Sequence, residues 1–307
     1  MKVSLNIRVD RNTFEECRRI VGGDGLVMGP DPEAEVQIFG REFVLGRNTK
    51  MLQCVYAGVN HIDFTRIPEN VLVCSNAGAY SESVAEQVFA LIFHITRKVC
   101  YFNSRTHAGE FRQEPVGFLY GKTISVIGYG GIGAQVARVA KALGMKVIGY
   151  SRRKIEDKNC DLQVDSIEDA ARQSDIMVIC LPPLTKETRG GCIGGAVLGA
   201  FRGTIIVNIA RADVVDRDSM LSFLERNREK YYLSDVWWNE PRIEVPIPDN
   251  AVLTPHVAGG GPNPSAGGGD DTVSDVFRLA ILRACENVRD FMQGNAPRNV
   301  VRREDYV

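Results

Sequence analysis

The sequence predicts an α/β protein built from two doubly wound parallel sheets. Three observations lead there. Short β-branched apolar runs alternate with helical patterns along most of the chain, and such alternation produces parallel sheets covered by helices. The 307 residues suffice for two domains, each with its own core. The alternation also falls into two halves, separated by one long helical stretch.

In the first half, residues 2–9 read as a strand and 13–20 as a helix. Further strands are expected at 36–39, 52–56 and 71–74. From Ser81 apolar residues recur at helical spacing (Val84, Val88, Leu91, Ile92, Ile95), so a helix is expected to about residue 105. It is long for a helix inside one domain and is expected to link the halves. In the second half, Thr123 to Ile127 is a β-branched run, and Ile132, Val136, Val139, Ala140 and Leu143 mark the helix after it. Strands follow at 146–150, 175–180, 204–208, 233–236 and 252–254, with helices at 166–173, 196–201 and 217–228. The helix at 166–173 carries acidic residues in its first turn, as the helix dipole favours. Residues 258–269 are half glycine with two prolines, which predicts a loop. A last helix is expected from about 272 to 292, with Val276, Ala280, Ile281, Ala284, Val288 and Phe291 on one face.

The stretch 123–133 is the most informative. A strand runs straight into Gly128-Tyr129-Gly130-Gly131-Ile132-Gly133, and a helix follows. That order gives a glycine motif meaning as a dinucleotide-binding turn. Gly128 makes the tight turn, Gly130 lets the backbone approach a pyrophosphate, and Gly133 lets helix and strand pack closely. The free N–H groups at the helix start then hold the anion. The strand 146–150 would normally end in a carboxylate that binds the ribose hydroxyls. Here it ends in Ser151-Arg152-Arg153. A carboxylate would repel a 2′-phosphate, whereas serine and arginine bind one. NADP is therefore the expected cofactor, with NAD the alternative.

Four chemically active side chains leave strand ends in the second half. Arg211 follows the strand 204–208, Asp235 ends the strand 233–236, Glu240 comes shortly after, and His256 follows 252–254. In an open parallel sheet, ligands sit beyond the carboxyl ends of the strands. Reducing a ketone by hydride transfer requires a polarised carbonyl and a proton for the forming alkoxide. A carboxylate beside an imidazole orients the ring and favours its protonated form, so His256 with Glu240 suits proton donation. Arg211 always carries its charge and suits carboxylate binding. Of the other histidines, His61 is expected to be structural or exposed, His94 a core or interface residue, and His107 a surface residue.

The composition narrows the class further. The chain is 44% hydrophobic and 24% charged with a net charge of −1, which gives no basis for nucleic-acid or membrane-surface binding. The start lacks the apolar core of a signal peptide, and no apolar run reaches the ~18 residues of a membrane span. A soluble, cytoplasmic protein is expected. Eight scattered cysteines form no CxxC pair; reduced, buried thiols are expected, and no metal site.

Together these residues resemble the D-isomer-specific 2-hydroxyacid dehydrogenase family, from about Leu52 to Val301. The resemblance rests on Asn76-Ala77-Gly78, Ser83-Val84-Ala85-Glu86, Gly121-Lys122-Thr123 and the glycine turn. It continues through Leu181-Pro182-Pro183-Leu184-Thr185 with Thr188, Asn208-Ile209-Ala210-Arg211, Asp235-Val236, Glu240-Pro241 and Thr254-Pro255-His256. Phe291, Gly294 and Asn299-Val300-Val301 complete it. It implies a Rossmann dinucleotide-binding domain at 98–284, inserted into a flavodoxin-like substrate domain formed by 1–97 and 285–307. By the resemblance Arg211 and His256 are the catalytic pair and Glu240 partners His256. Asp235 binds the nicotinamide carboxamide. Gly128, Gly130, Gly131, Ile132, Gly133, Ser151, Arg152, Arg153, Pro182 and Ile209 complete the cofactor site. The backbone of Ala57, Gly58 and Val59 receives the substrate carboxylate. A homodimer is implied, joined through the nucleotide domain and the helix at 81–105.

This sequence departs from the family at Gly131, where arginine is frequent, at Ala212, where glycine is frequent, and in the glycine-rich loop after His256. Trp237 and Trp238 are unusual and are expected to shape the substrate pocket. Ser151-Arg152-Arg153 resembles the NADP-using glyoxylate and hydroxypyruvate reductases of the family. An NADPH-dependent reductase of small 2-oxo acids is therefore expected. The alternatives are an NAD-linked dehydrogenase of the same family and a dinucleotide-sensing, corepressor-like protein without turnover.

Overall fold

A computed structural model describes residues 1–23, 25–182, 192–243, 246–260 and 274–305. The chain begins with β1 (Val3–Asn6), α1 (Arg11–Val21), β2 (Leu26–Met28), β3 (Val36–Phe39), β4 (Met51–Cys54) and β5 (Leu72–Cys74). Two helices follow, α2 (Ser81–Arg97) and α3 (Val99–His107). Next come β6 (Thr123–Ile127), α4 (Gly131–Ala142), β7 (Lys146–Tyr150), β8 (Leu162–Val164), α5 (Ile167–Arg172) and β9 (Ile176–Ile179). The remaining elements are α6 (Gly195–Ala200), β10 (Ile205–Asn208), α7 (Arg217–Arg226), β11 (Tyr231–Ser234), β12 (Ala251–Leu253) and α8 (Asp275–Met292).

These elements form two compact units, Met1–Tyr80 with Gly259–Val307, and Ser81–Ala258. The resemblance put the junctions at 97/98 and 284/285. The first of these falls at the end of α2 and the second inside α8.

In the first unit the described strands form one parallel sheet in the order β2-β1-β3-β4-β5. This is the flavodoxin-like order. β3 and β4 are buried throughout, as a sheet covered on both faces requires. Asp10 starts α1 by accepting from the Thr13 N–H at 2.9 Å, a cap of about 1 kcal/mol. Gly22 ends the helix in the left-handed region. α8 packs beside α1 and puts Phe277, Ile281, Ala284 and Val288 into the core with Val3, Leu5 and Val36. Each large side chain buried this way contributes about 1.5–3 kcal/mol.

In the second unit the described strands form one parallel sheet in the order β12-β11-β10-β9-β6-β7-β8. The order runs outward in both directions from the β6–β9 pair, which is the Rossmann arrangement. The connections leave this pair toward opposite faces, so a crevice opens at its carboxyl end. α2 packs against α4 within this unit.

Three expectations need correction. The helix expected from 81 to about 105 is two helices. The break is at Lys98, whose φ of 51° no continuous α-helix tolerates. The strands β2 and β8 were not anticipated. Each is three residues long at a sheet edge, too short for a visible alternation. Asp235 does not end a strand: β11 stops at Ser234, and Asp235 is the first residue beyond it.

The thiols divide more evenly than expected. Cys17, Cys54, Cys74 and Cys285 are buried, Cys100 is exposed, and all eight cysteines are free. Burial pushes the Cys54 and Cys74 thiols up to about 12, so both stay protonated at neutral pH. No helix among the described residues is long and apolar enough to cross a membrane.

Candidate active site

The glycine turn sits at the carboxyl end of β6, on the crevice of the second sheet. Gly128 has φ 97°, and a Cβ there would stand 2.7 Å from the Cys180 carbonyl oxygen at the end of β9. Both facts exclude a side chain. At Gly133 a Cβ would stand 2.4 Å from the Gly128 oxygen and 2.9 Å from Val126 Cγ1, so helix and strand touch there. Gly130 differs: a Cβ would meet nothing within 4 Å. Gly130 is also the N-cap of α4, and no side chain caps that end. Gly131 and Ile132 open the helix, exposed and half-buried. Open space before uncapped N–H groups at a helix start is what a pyrophosphate requires. The residues present therefore fit a dinucleotide.

β7 lies next to β6 and delivers Ser151, Arg152 and Arg153 to the same edge, both arginines exposed. The Arg153 N–H donates to Ser151 Oγ at 3.2 Å. Pro182 follows β9 and is exposed, and Ile209 follows β10 and is buried. The rest of the motif at 183–188 lies outside the described residues, as does most of the glycine-rich loop. Every second-unit residue expected in the cofactor site is thus at the carboxyl edge of one sheet. Ala57, Gly58 and Val59 belong to the first unit, just beyond β4, with Val59 buried and Ala57 exposed.

Arg211 follows β10 in a turn built by Asn208. The Asn208 Oδ1 accepts from the Ala210 N–H at 3.0 Å, and its Nδ2 donates to the Arg211 carbonyl at 3.1 Å and to the Tyr232 hydroxyl at 3.0 Å. Asn208 is fully buried, so this one amide sets the start of the turn. The Arg211 guanidinium donates to the Ala210 carbonyl at 2.7 Å.

β11 and β12 are the next strands of the sheet. Beyond them Glu240 and His256 meet: Nδ1 of His256 lies 2.9 Å from Oε2 of Glu240. The other carboxylate oxygen of Glu240 accepts from the Trp237 N–H at 2.6 Å, which fixes the acid. The histidine is 47% and the glutamate 34% exposed, so the pair is open to a ligand while joined to the protein on one side.

The backbone of His256 is unusual. Its φ is 55°, a left-handed conformation that few non-glycine residues adopt. Asp235, 1% exposed, holds it there. Its Oδ1 accepts from Thr254 Oγ1 at 2.5 Å and from the Val257 N–H at 3.0 Å, and its Oδ2 from the Ala258 N–H at 2.7 Å. Helix α2 braces the same loop: Gln87 donates to Thr254 Oγ1 at 3.1 Å and Ser83 to the Ala258 carbonyl at 2.7 Å. The network gives Asp235 a role that sequence reasoning missed, as the clamp of the histidine loop. Spacing along the chain gave no signal for it, because only the sheet order brings the residue after β11 beside Thr254 after β12.

Trp237 and Trp238, expected to shape a substrate pocket, are both 6% exposed and belong to the core of the second unit. They pack on Tyr232 with ring centroids 6.3 and 6.1 Å away, and the Trp238 indole donates to the Val215 carbonyl at 3.1 Å. Their link to Glu240 is the Trp237 backbone N–H, which donates to the carboxylate. His61 bonds the Gly40 carbonyl at 3.2 Å in the first unit, and burial lowers its pKa. His94 is exposed on α2 rather than in the core, and His107 is exposed as expected.

Comparison with known proteins bears on this arrangement. Residues 89–258 match the family described as D-isomer specific 2-hydroxyacid dehydrogenase, NAD binding domain. The chain is 34% identical over 265 residues to a glyoxylate reductase of Aeropyrum pernix, covering 80% of this chain and 74% of the relative. It is 31% identical over 254 residues to a D-3-phosphoglycerate dehydrogenase of Methanocaldococcus jannaschii, covering 80% of this chain and 46% of the relative. Among solved structures it is similar to a glycerate dehydrogenase related protein from Thermoplasma acidophilum. The identity is 44% and the TM-score 0.75, over 95% of this chain and all of the other.

Proposed function

Since the chain belongs to the D-isomer-specific 2-hydroxyacid dehydrogenase family, we propose that it is an NADPH-dependent reductase of small 2-oxo acids, of glyoxylate or hydroxypyruvate size. The family makes the protein an oxidoreductase that uses a nicotinamide dinucleotide. The proposal adds the cofactor and the substrate class. The observation that carries the cofactor is the end of β7, where Ser151-Arg152-Arg153 replaces the carboxylate that would select NAD. The substrate class is supported by the likeness to a glyoxylate reductase.

When bound, the reduced dinucleotide supplies the hydride. The protein supplies the rest. Arg211 holds the substrate carboxylate and polarises the C2 carbonyl with a charge that cannot be lost. His256 gives a proton to the oxygen as C2 accepts the hydride, which yields the 2-hydroxy acid. Because Nδ1 faces Glu240, the donated proton leaves from Nε2. Glu240 keeps the ring oriented and stabilises its positive charge. Asp235 holds the backbone that carries the ring.

A panel of 2-oxo acids assayed with NADPH and with NADH tests this reading. The expected result is NADPH oxidation with the smallest acids. No turnover with any acid, despite tight NADPH binding, would favour a dinucleotide sensor instead. A sharper test replaces Arg152 and Arg153 with alanine. Each charge-assisted bond to a 2′-phosphate contributes about 1.5–3 kcal/mol, so the pair should raise the KM for NADPH by ~100-fold. The KM for NADH should barely change; equal effects on both cofactors refute the NADP assignment.

The proposal includes a homodimer formed through the second unit. α3 buries none of its residues, and Val99, Phe111, Phe118 and Tyr120 stand 64, 92, 61 and 72% exposed on one stretch of chain. Large apolar groups left exposed along one stretch of chain support an association surface there. Sedimentation equilibrium should give a dimer, and Phe111→Asp with Phe118→Asp should give a monomer. An unchanged mass in the double variant contradicts this interface.

A further inference from the structure

One glutamine on the sheet edge is spent entirely on the turn that faces the cofactor. Gln163 lies on β8 opposite Gly149 of β7. Its Nε2 donates to the carbonyls of Ser151 at 3.2 Å and Arg153 at 3.0 Å, and its Oε1 accepts from the Ile155 N–H at 2.8 Å. Both amide protons and one oxygen lone pair are thus used within five residues of chain. The turn needs such a tie. It carries Arg152, Arg153 and Lys154 in succession, all exposed, with Lys154 3.3 Å from Glu156, and like charges on adjacent residues favour a spread chain.

The rest of the loop is shaped to the same end. Gly149 has no side chain, and a Cβ there would stand 2.5 Å from Ile155 Cδ1 and 3.0 Å from Tyr129 Cδ2. The loop therefore folds back over the end of β7. Tyr129, from the glycine turn itself, donates its hydroxyl to Asp157 Oδ2 at 3.1 Å. The segment that follows Ser151 is tied to β8 on one side and to the pyrophosphate turn on the other.

We propose that Gln163 is a positioning residue for cofactor selectivity: its carboxamide holds the 151–155 turn in the form that receives the 2′-phosphate of NADPH. The inference rests on the NADP reading above. Gln163 acts through the turn and does not itself touch the cofactor. An ordered turn binds phosphate without first losing conformational freedom, whereas a loose one loses part of its binding energy to ordering. NADH, which lacks the 2′-phosphate, gains nothing from that order.

Equilibrium binding of NADPH and NADH, followed by nicotinamide fluorescence, tests this without recourse to turnover. Gln163→Leu should weaken NADPH binding by about 10-fold and leave NADH binding within about twofold. Gln163→Met keeps the length of the side chain but removes both donors and the acceptor without adding charge, so it should show the same selective loss. Because residue 163 is only half-buried at a sheet edge, the methionine variant serves if the leucine variant folds poorly. Equal weakening of both cofactors would make Gln163 a general support of the domain and overturn the proposal. So would unchanged binding of both. Arg152→Ala with Arg153→Ala, measured in parallel, separates the two ideas. If the arginine variant loses NADPH selectively and the Gln163 variants do not, only this inference fails. If the arginine variant shows no selectivity either, the NADP reading fails and takes this inference with it.

Discussion

His256→Ala lowers kcat for 2-oxo acid reduction by about 10²–10⁴-fold, the usual contribution of a positioned general acid. The loss should fall mainly on kcat, because the proton is transferred only in the transition state. NADPH binding should remain near wild type, since the cofactor candidates lie on other strand ends. Glu240→Gln tests the second half of the pair. It keeps the size of the side chain but removes the charge 2.9 Å from Nδ1. The imidazolium then loses its partner, so kcat should also fall, by less than in His256→Ala. Steady-state kinetics with saturating NADPH measure both. A His256→Ala enzyme within a fewfold of wild type would show that the proton comes from another group.

Arg211→Ala lowers kcat/KM by about 10²–10³-fold, the scale seen when one donor to a developing oxyanion is removed. In contrast with the histidine variant, KM should rise as well, because the guanidinium binds the carboxylate in the ground state. Arg211→Lys should recover only part of the activity, since an ammonium is a point charge without the planar fork. The turn itself should survive both changes: Asn208 builds it through the backbone of residues 210 and 211. Circular dichroism and NADPH binding check that it does. Wild-type kcat/KM in Arg211→Ala would remove this residue from the site.

Much of this was legible in the sequence because it depends on local pattern. The strand at 36–39 is visible from its apolar run, and β6 and α4 from the glycines between them. The dinucleotide turn is legible because each glycine answers a separate constraint, and the structure shows the constraints at Gly128 and Gly133 as contacts under 3 Å. Arg211, Glu240 and His256 stand out because they follow strands of the nucleotide-binding half, and ligands of an open parallel sheet sit beyond the carboxyl ends of its strands.

What was missed depends on the third dimension. Three-residue edge strands such as Leu162–Val164 carry too few residues to show a period. Lys98 resembles any other helix residue, and only its φ reveals the break between α2 and α3. The resemblance implies that Asp235 contacts the nicotinamide; its hold on the histidine loop is what the chain order hides. Its three bonds to residues 254–258 arise from pairing between neighbouring strands, which spacing alone does not register. Trp237 and Trp238 are unusual for the family, which suggests a pocket. Their neighbours in space are Tyr232 and Val215.

The discontinuity of the first unit bears on the order of assembly during synthesis. β1 to β5 emerge early, but the helix that fills their core, α8, is separated from them by the whole second unit. Asn76 donates to the Ala280 carbonyl at 2.8 Å, Asn287 to Gln53 Oε1 at 2.6 Å, and Cys74 pairs with Val300. Until those late residues leave the ribosome, the core that α1 shares with the early strands lacks Phe277, Ile281, Ala284 and Val288. The continuous unit at 81–258 has all its strands in one stretch and is free to fold in the meantime. The first strands to be made are thus the last to be finished.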